Sequence, residues 1–277
     1  MSVTTTDKGP APLAAAPAGR YGMVDLIRSE WTKLRTVRST IWTLGLTVLI
    51  GLAASAIPTA IVRSYWTRMT AAAKAGFHPV EVSLIGVYLG GTFLLGILGI
   101  LVMSSEYATG TIRATFVAAP RRPRVFAAKI FVFAVVALVI SEVVAFISFL
   151  LDQALLTSPA RHATLSSPGA LRAVVGIGLF VCVVGLLALG IAVLVRHTAG
   201  ALSIYVGVML VLPIIVSAFP NSIQNQINRL LPLEIGSVMV GKTGPDFFGP
   251  WVGFLVLCGY TALVLALGTV LLARRDA

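Results

Sequence analysis

The sequence predicts an all-α integral membrane protein with six transmembrane helices, and three observations lead there. Of its 277 residues, 57% are hydrophobic and only 11% are charged, whereas a soluble domain carries about 25% charged residues. Six apolar stretches, each close to the roughly 20 residues that cross a bilayer, alternate with polar connections. Backbone N–H and C=O groups cannot be left unpaired in lipid, so these stretches are helices and not strands. The net charge of +11 and the pI near 10.4 would suggest nucleic acid in a soluble protein. Here the basic residues stand at the ends of apolar spans, where they set topology and meet anionic lipid, so no nucleic-acid partner is expected.

The chain divides into a tail (residues 1–20), an amphipathic helix (21–40) and a six-helix transmembrane domain (41–277). The tail is rich in Thr, Ala and Pro and is expected to be disordered. It lacks a basic region followed by a short apolar core, so no cleavable signal peptide is expected. In residues 21–40, Met23, Leu26, Ile27, Trp31, Leu34 and Val37 fall near helical spacing on one side. That pattern suits a helix lying in the membrane interface, with Glu30, Trp31, Lys33, Arg35 and Arg38 at head-group level. A solvated lead-in to the first span is the alternative.

The spans are expected at about Ile41–Val62, Val82–Met103, Ile130–Leu151, Ala173–Val195, Ala201–Phe219 and Trp251–Leu272. With the N-terminus inside, fourteen Lys and Arg residues fall on the cytoplasmic side and seven outside. This bias puts both termini in the cytoplasm of a multi-pass plasma-membrane protein. In the outer loop 220–250, Ile223, Ile227, Leu230 and Leu231 sit at helical spacing before Pro232. One or two short helices are expected there, dipping partway back toward the membrane and capping a pathway.

Several motifs need weighing. Gly236–Thr243 (GSVMVGKT) matches a phosphate-binding loop in letters. No buried strand is expected before it, and the topology places it outside the cell, so it reads as a chance match. Glu142 is the one acid expected deep in a span, suited either to a pathway contact or to packing through hydrogen bonds. Glycines in the second span (Gly86, Gly90, Gly91, Gly96, Gly99) and the fourth (Gly176, Gly178, Gly185, Gly190) provide small faces for close helix packing. Cys182 and Cys258 lie in apolar runs, and His78, His162 and His197 lie in separate loops. No catalytic or metal-binding arrangement is expected from them.

The stretch from Ser104 to Lys129 is the long charged segment between two spans, with Arg113, Arg121, Arg122, Arg124 and Lys129 against Glu106. Gly110 allows a change of direction where the second span ends, and Thr111 can cap a short helix over Ile112–Ala118. Pro120 and Pro123 are expected to stop that helix. Such a helix, held at both ends by long spans, can pass motion from a soluble partner to a helix pair. A basic loop that only sets topology is the alternative.

Three segments, taken in order, resemble the permease subunits of type-2 ATP-binding-cassette exporters, most closely the actinobacterial branch. They are Ser29–Thr40 (SEWTKLRTVRST), Glu106–Arg113 (EYATGTIR) and Pro120–Arg122 (PRR). The resemblance implies a coupling region at Glu106, Tyr107, Thr109, Gly110, Thr111, Arg113, Arg121 and Arg122 that docks on a separate ATPase. It also implies short outer helices before the last span. The expected working unit has two ATPase chains and two permease chains, identical or homologous. ATP and magnesium would be bound by the partner, with no cofactor on this chain and no enzymatic activity of its own. The expected cargo is amphipathic or lipid-like: a drug, an antibiotic or a lipid. A scaffold or sensor that binds a cytoplasmic partner through the same basic loop is the competing reading.

Overall fold

The computed structural model describes residues 22–111, 122–158, 160–245 and 247–274. The expected coupling helix Ile112–Ala118, Arg113 and Arg121 lie outside the described residues, as does the tail at residues 1–20. Among the described residues the fold is entirely helical, and six helices are long and apolar enough to cross a membrane. The chain opens with a leading helix, Met23–Thr36, whose first turn is closed by the Gly22 N–H donating to the Asp25 carboxylate at 3.0 Å. Val37 then takes an extended conformation, so the chain turns before the first span, Arg38–Tyr65.

The second span runs from Pro79 to Ala108 and the third from Arg122 to Leu155. The fourth is Ala170–Val195, the fifth Thr198–Ser217 and the sixth Pro250–Arg274. The fourth span is the hub. It packs against the second, third, fifth and sixth spans and against a short helix, Pro232–Val240. Lipid covers an apolar helix as well as protein does, so its central place rests on close packing, which the glycines make possible. A Cβ on Gly99 would stand 2.4 Å from the Gly185 carbonyl oxygen, so the second and fourth helices meet backbone to backbone. Gly86 is pressed in the same way onto Ala54 and Ser55 of the first span.

Two spans contain a turn of π-helix, Val87–Gly91 in the second and Gly207–Val211 in the fifth. A π turn displaces carbonyls from the regular ladder, and inside a membrane they need other donors. The Thr92 hydroxyl donates to the Tyr88 carbonyl, and the buried Tyr205 hydroxyl donates to the Thr92 carbonyl at 2.7 Å. Tyr205 thus links the fifth span to the second. The Tyr88 hydroxyl donates to the Leu233 carbonyl at 2.7 Å, fastening the short helix Pro232–Val240 over the same region.

The structure adds detail at three positions. Pro123 stands in the first turn of the third span, where its missing N–H costs nothing and its φ is already helical, while Pro120 lies outside the described residues. The loop 220–250 holds two short helices, Asn221–Asn228 and Pro232–Val240, and Pro232 begins the second. Glu142 lies in mid-span, and the third helix continues past Leu151 to bury a further acid, Asp152, near its C-terminal end.

The phosphate-loop match resolves by geometry. In a true phosphate loop the glycine-rich turn precedes a helix, so that the helix N-terminus faces the anion. Here Gly236–Val240 form the last turns of a helix, and the Gly241 and Lys242 N–H groups cap its end by donating to the Ser237 carbonyl. The Lys242 ammonium pairs with Glu234 at 2.7 Å and stands over the Phe247 ring. Because that pair is partly exposed, Lys242→Ala is expected to cost no more than about 1 kcal/mol. A thermal melt beside a fluorescent-nucleotide titration checks this; the titration should be flat for both proteins.

Candidate functional site: a buried charge ring at the base of the second and third spans

The second span ends in a built cap. The Thr109 hydroxyl donates to the Ser105 carbonyl at 2.8 Å, and the Gly110 N–H donates to the Tyr107 carbonyl at 3.2 Å. Gly110 then turns the chain with φ +70°, in the left-handed region that glycine enters without steric cost. The Thr109 and Thr111 hydroxyls are 2.9 Å apart across this turn. One turn before the cap, Glu106 points inward toward the leading helix and the start of the third span.

There it completes a ring of four charges. Glu30 accepts from the Lys33 ammonium at 2.6 Å through one oxygen and from the Lys129 ammonium at 2.6 Å through the other. One Glu106 oxygen accepts from both lysines, at 2.9 Å each. Two acids and two bases therefore alternate, with no net charge. Lys129 is 4% exposed and Glu30 5%, while Lys33, at 35%, forms the outer edge. Burial lowers the affinity of the Lys33 ammonium for its proton, but Glu30 and Glu106 outweigh it and hold its pKa above the ordinary 10.5. Lys33 therefore carries its charge at neutral pH.

Taking such charges out of water is costly unless each is paired and hydrogen-bonded. The geometry satisfies both demands, and it does so with three helices at once. The leading helix supplies Glu30 and Lys33, the second span Glu106 and the third span Lys129. These last two residues flank the polar stretch 109–121 on either side.

Beside the ring lies a cavity of about 450 Å³. Leu98, Leu101 and Val102 of the second span form its apolar wall, and Glu30, Glu106 and Lys129 form its charged edge. A site with apolar walls and a few convergent polar groups is the usual form of a small-molecule pocket.

The structure treats the expected site residues unequally. Glu106, Thr109, Gly110 and Thr111 come together at the end of the second span, and Glu30 and Lys33 join them. Tyr107 turns to the far side, where Arg196 stands 5.6 Å from its ring centre. Trp31, Arg35 and Arg38 are exposed, and Arg122 is half-buried at the start of the third span. Glu142 lies apart, in mid-span, its carboxyl against Gly178 of the fourth span. Lys129 and Arg196 were missed as site residues. Lys129 had a signal: it sits eight residues into a long, mostly apolar helix, where an ammonium requires an acid. Arg196 caps the fourth span with φ +60°, and nothing in its neighbourhood announced that.

None of the curated proteins compared matches the chain. Residues 26–214 match the model of a family described as ABC-2 family transporter protein. That match takes in the leading helix, the charge ring and most of the helical bundle. The chain therefore belongs to the ABC-2 family of transporter membrane proteins: a multi-pass permease of ABC transport, which works with an ABC ATPase partner.

Proposed function

We propose that this chain is the permease half of an exporter, with ATP and magnesium bound and hydrolysed on separate ATPase chains. The observation that carries the reading is the charge ring. It joins the leading helix to both helices that flank the stretch 109–121, so a push on that stretch reaches three helices together. Glu106, Tyr107, Thr109, Gly110 and Thr111, with Arg113, Arg121 and Arg122, form the docking region for the ATPase. The positive-charge bias places this region and both termini in the cytoplasm. The leading helix lies along the inner membrane face, with exposed Met23, Val24 and Trp31 toward lipid. Two permease chains, identical or homologous, and two ATPases make the working unit. The cargo is amphipathic or lipid-like, a class suited to a cavity with apolar walls and a charged edge.

The test is copurification in nanodiscs with a coexpressed ABC ATPase, followed by an ATPase assay. The ATPase is expected at one copy per permease. Glu106→Ala, which removes two charged hydrogen bonds, and Gly110→Pro, which cannot adopt the left-handed turn, should each lower permease-stimulated hydrolysis at least about tenfold. Failure to recover an ATPase, with no stimulated hydrolysis, would leave a scaffold or sensor as the better description.

A further inference from the structure

The far end of the third span holds a second polar layer that the coupling scheme does not use. Asp152 lies twenty-three residues beyond Lys129 on one continuous helix, about 35 Å at 1.5 Å per residue. The two residues thus stand at opposite ends of the hydrocarbon thickness. Asp152 is completely buried, as are Ser148 one turn earlier on the same face and Ser55 and Thr59 one turn apart on the first span. The Thr59 side chain faces the Asp152 carboxyl. Among the described residues the Thr59 hydroxyl is the one polar neighbour of the carboxyl, and by strict geometry it leaves both Asp152 oxygens, its own oxygen and the Ser55 and Ser148 hydroxyls short of a full hydrogen bond.

Neighbouring polar groups are already committed. The Gln153 amide donates to Ser83 at 2.8 Å and to the Pro79 carbonyl at 3.2 Å, and it accepts from the Ala163 N–H. Ser83 donates to the Pro79 carbonyl at 2.9 Å. Above this layer the helix ends close over it with Trp66, Phe77 and Leu156, a buried apolar cap against which Val62 and Val82 pack. Below it, Gly51 meets Val144.

We infer that Asp152, Ser148 and Thr59 form a binding site for a small monovalent cation, of which sodium is the best fit. The donors are all oxygens, which select hard cations. They carry a single formal charge, which one monovalent ion neutralises and a divalent ion would overshoot. An acid buried at such a depth needs a partner, and no ion pair among the described residues includes Asp152. The bound ion ties the first span to the third at the end remote from the charge ring.

The test is thermal unfolding of the full chain in nanodiscs, in sodium chloride or in choline chloride at equal ionic strength. Sodium is expected to raise Tm by about 3 °C, as a ligand well above its Kd does. Asp152→Asn should remove that shift. Thr59→Val, a milder change, should move half-saturation to about tenfold higher sodium, and Glu142→Gln, on another face, should leave it in place. Should Asp152→Asn fail to fold, the Thr59→Val titration decides. Equal melting of the wild type in both salts, or an unchanged sodium response in Asp152→Asn or Thr59→Val, overturns the site. A sodium-independent melt with a protonated-carboxyl infrared band lost in Asp152→Asn would make the occupant a proton instead.

Discussion

Replacing Lys129 by Met will destabilise the folded chain by about 3–5 kcal/mol, the cost of leaving buried charges without their partner. Lys129 is the common donor to Glu30 and Glu106. Without it, one Glu30 oxygen has lost its cation, and Glu106 depends on Lys33 at the half-exposed edge. The leading helix should then separate from the bundle, because Glu30 is its only buried residue. Thermal unfolding in nanodiscs measures the loss, and protease accessibility near Thr36 measures the release. Lys129→Arg keeps a cation between Glu30 and Glu106 and should retain much of the stability. If Lys129→Met melts like the wild type, the ring is not what holds the three helices together.

The second large effect concerns Gly99. Ala in a helix interior is intrinsically better than Gly by about 1 kcal/mol, yet Gly99→Ala is expected to destabilise. Its Cβ would lie 2.4 Å from the Gly185 carbonyl oxygen and 3.2 Å from the Leu189 nitrogen. Both are backbone atoms of the hub helix and cannot swing aside. The second and fourth spans must move apart, and overpacking of this kind costs about 1–3 kcal/mol and sometimes more. Gly259→Ala in the sixth span supplies the contrast, since nothing lies within 4 Å of its Cβ. That variant should melt at or slightly above the wild-type temperature. At Gly178→Ala the obstacle is the Glu142 carboxyl, the end of a flexible side chain, so an intermediate loss is expected. Melting all three in one lipid separates steric cost from helix propensity; equal melting of Gly99→Ala and Gly259→Ala would refute the close contact.

Much of this architecture is local and was legible in the residue order. Six apolar runs of spanning length, separated by polar connections, determine six helices, because lipid leaves the backbone no other way to satisfy itself. The end of the second span was equally legible, since an acid followed by Thr109, Gly110 and Thr111 marks a helix terminus. Proline was ambiguous by nature. Pro123 and Pro232 punctuate the chain, but the same fixed φ that ends one helix begins the next, and only the structure shows which.

Tertiary structure alone decided the rest. Glu30 and Lys129 are ninety-nine residues apart, so no periodicity connects them. They meet because Val37 folds the leading helix back under the bundle. The π turns and their tyrosine donors, and the burial of Asp152 against the first span, arise in the same way. Helical spacing shows which residues share a face, whereas the neighbour that covers this face comes from elsewhere in the chain. For a charged residue in a membrane protein that neighbour is decisive, because a partner a few ångströms away separates a stable joint from a group that lipid would not tolerate.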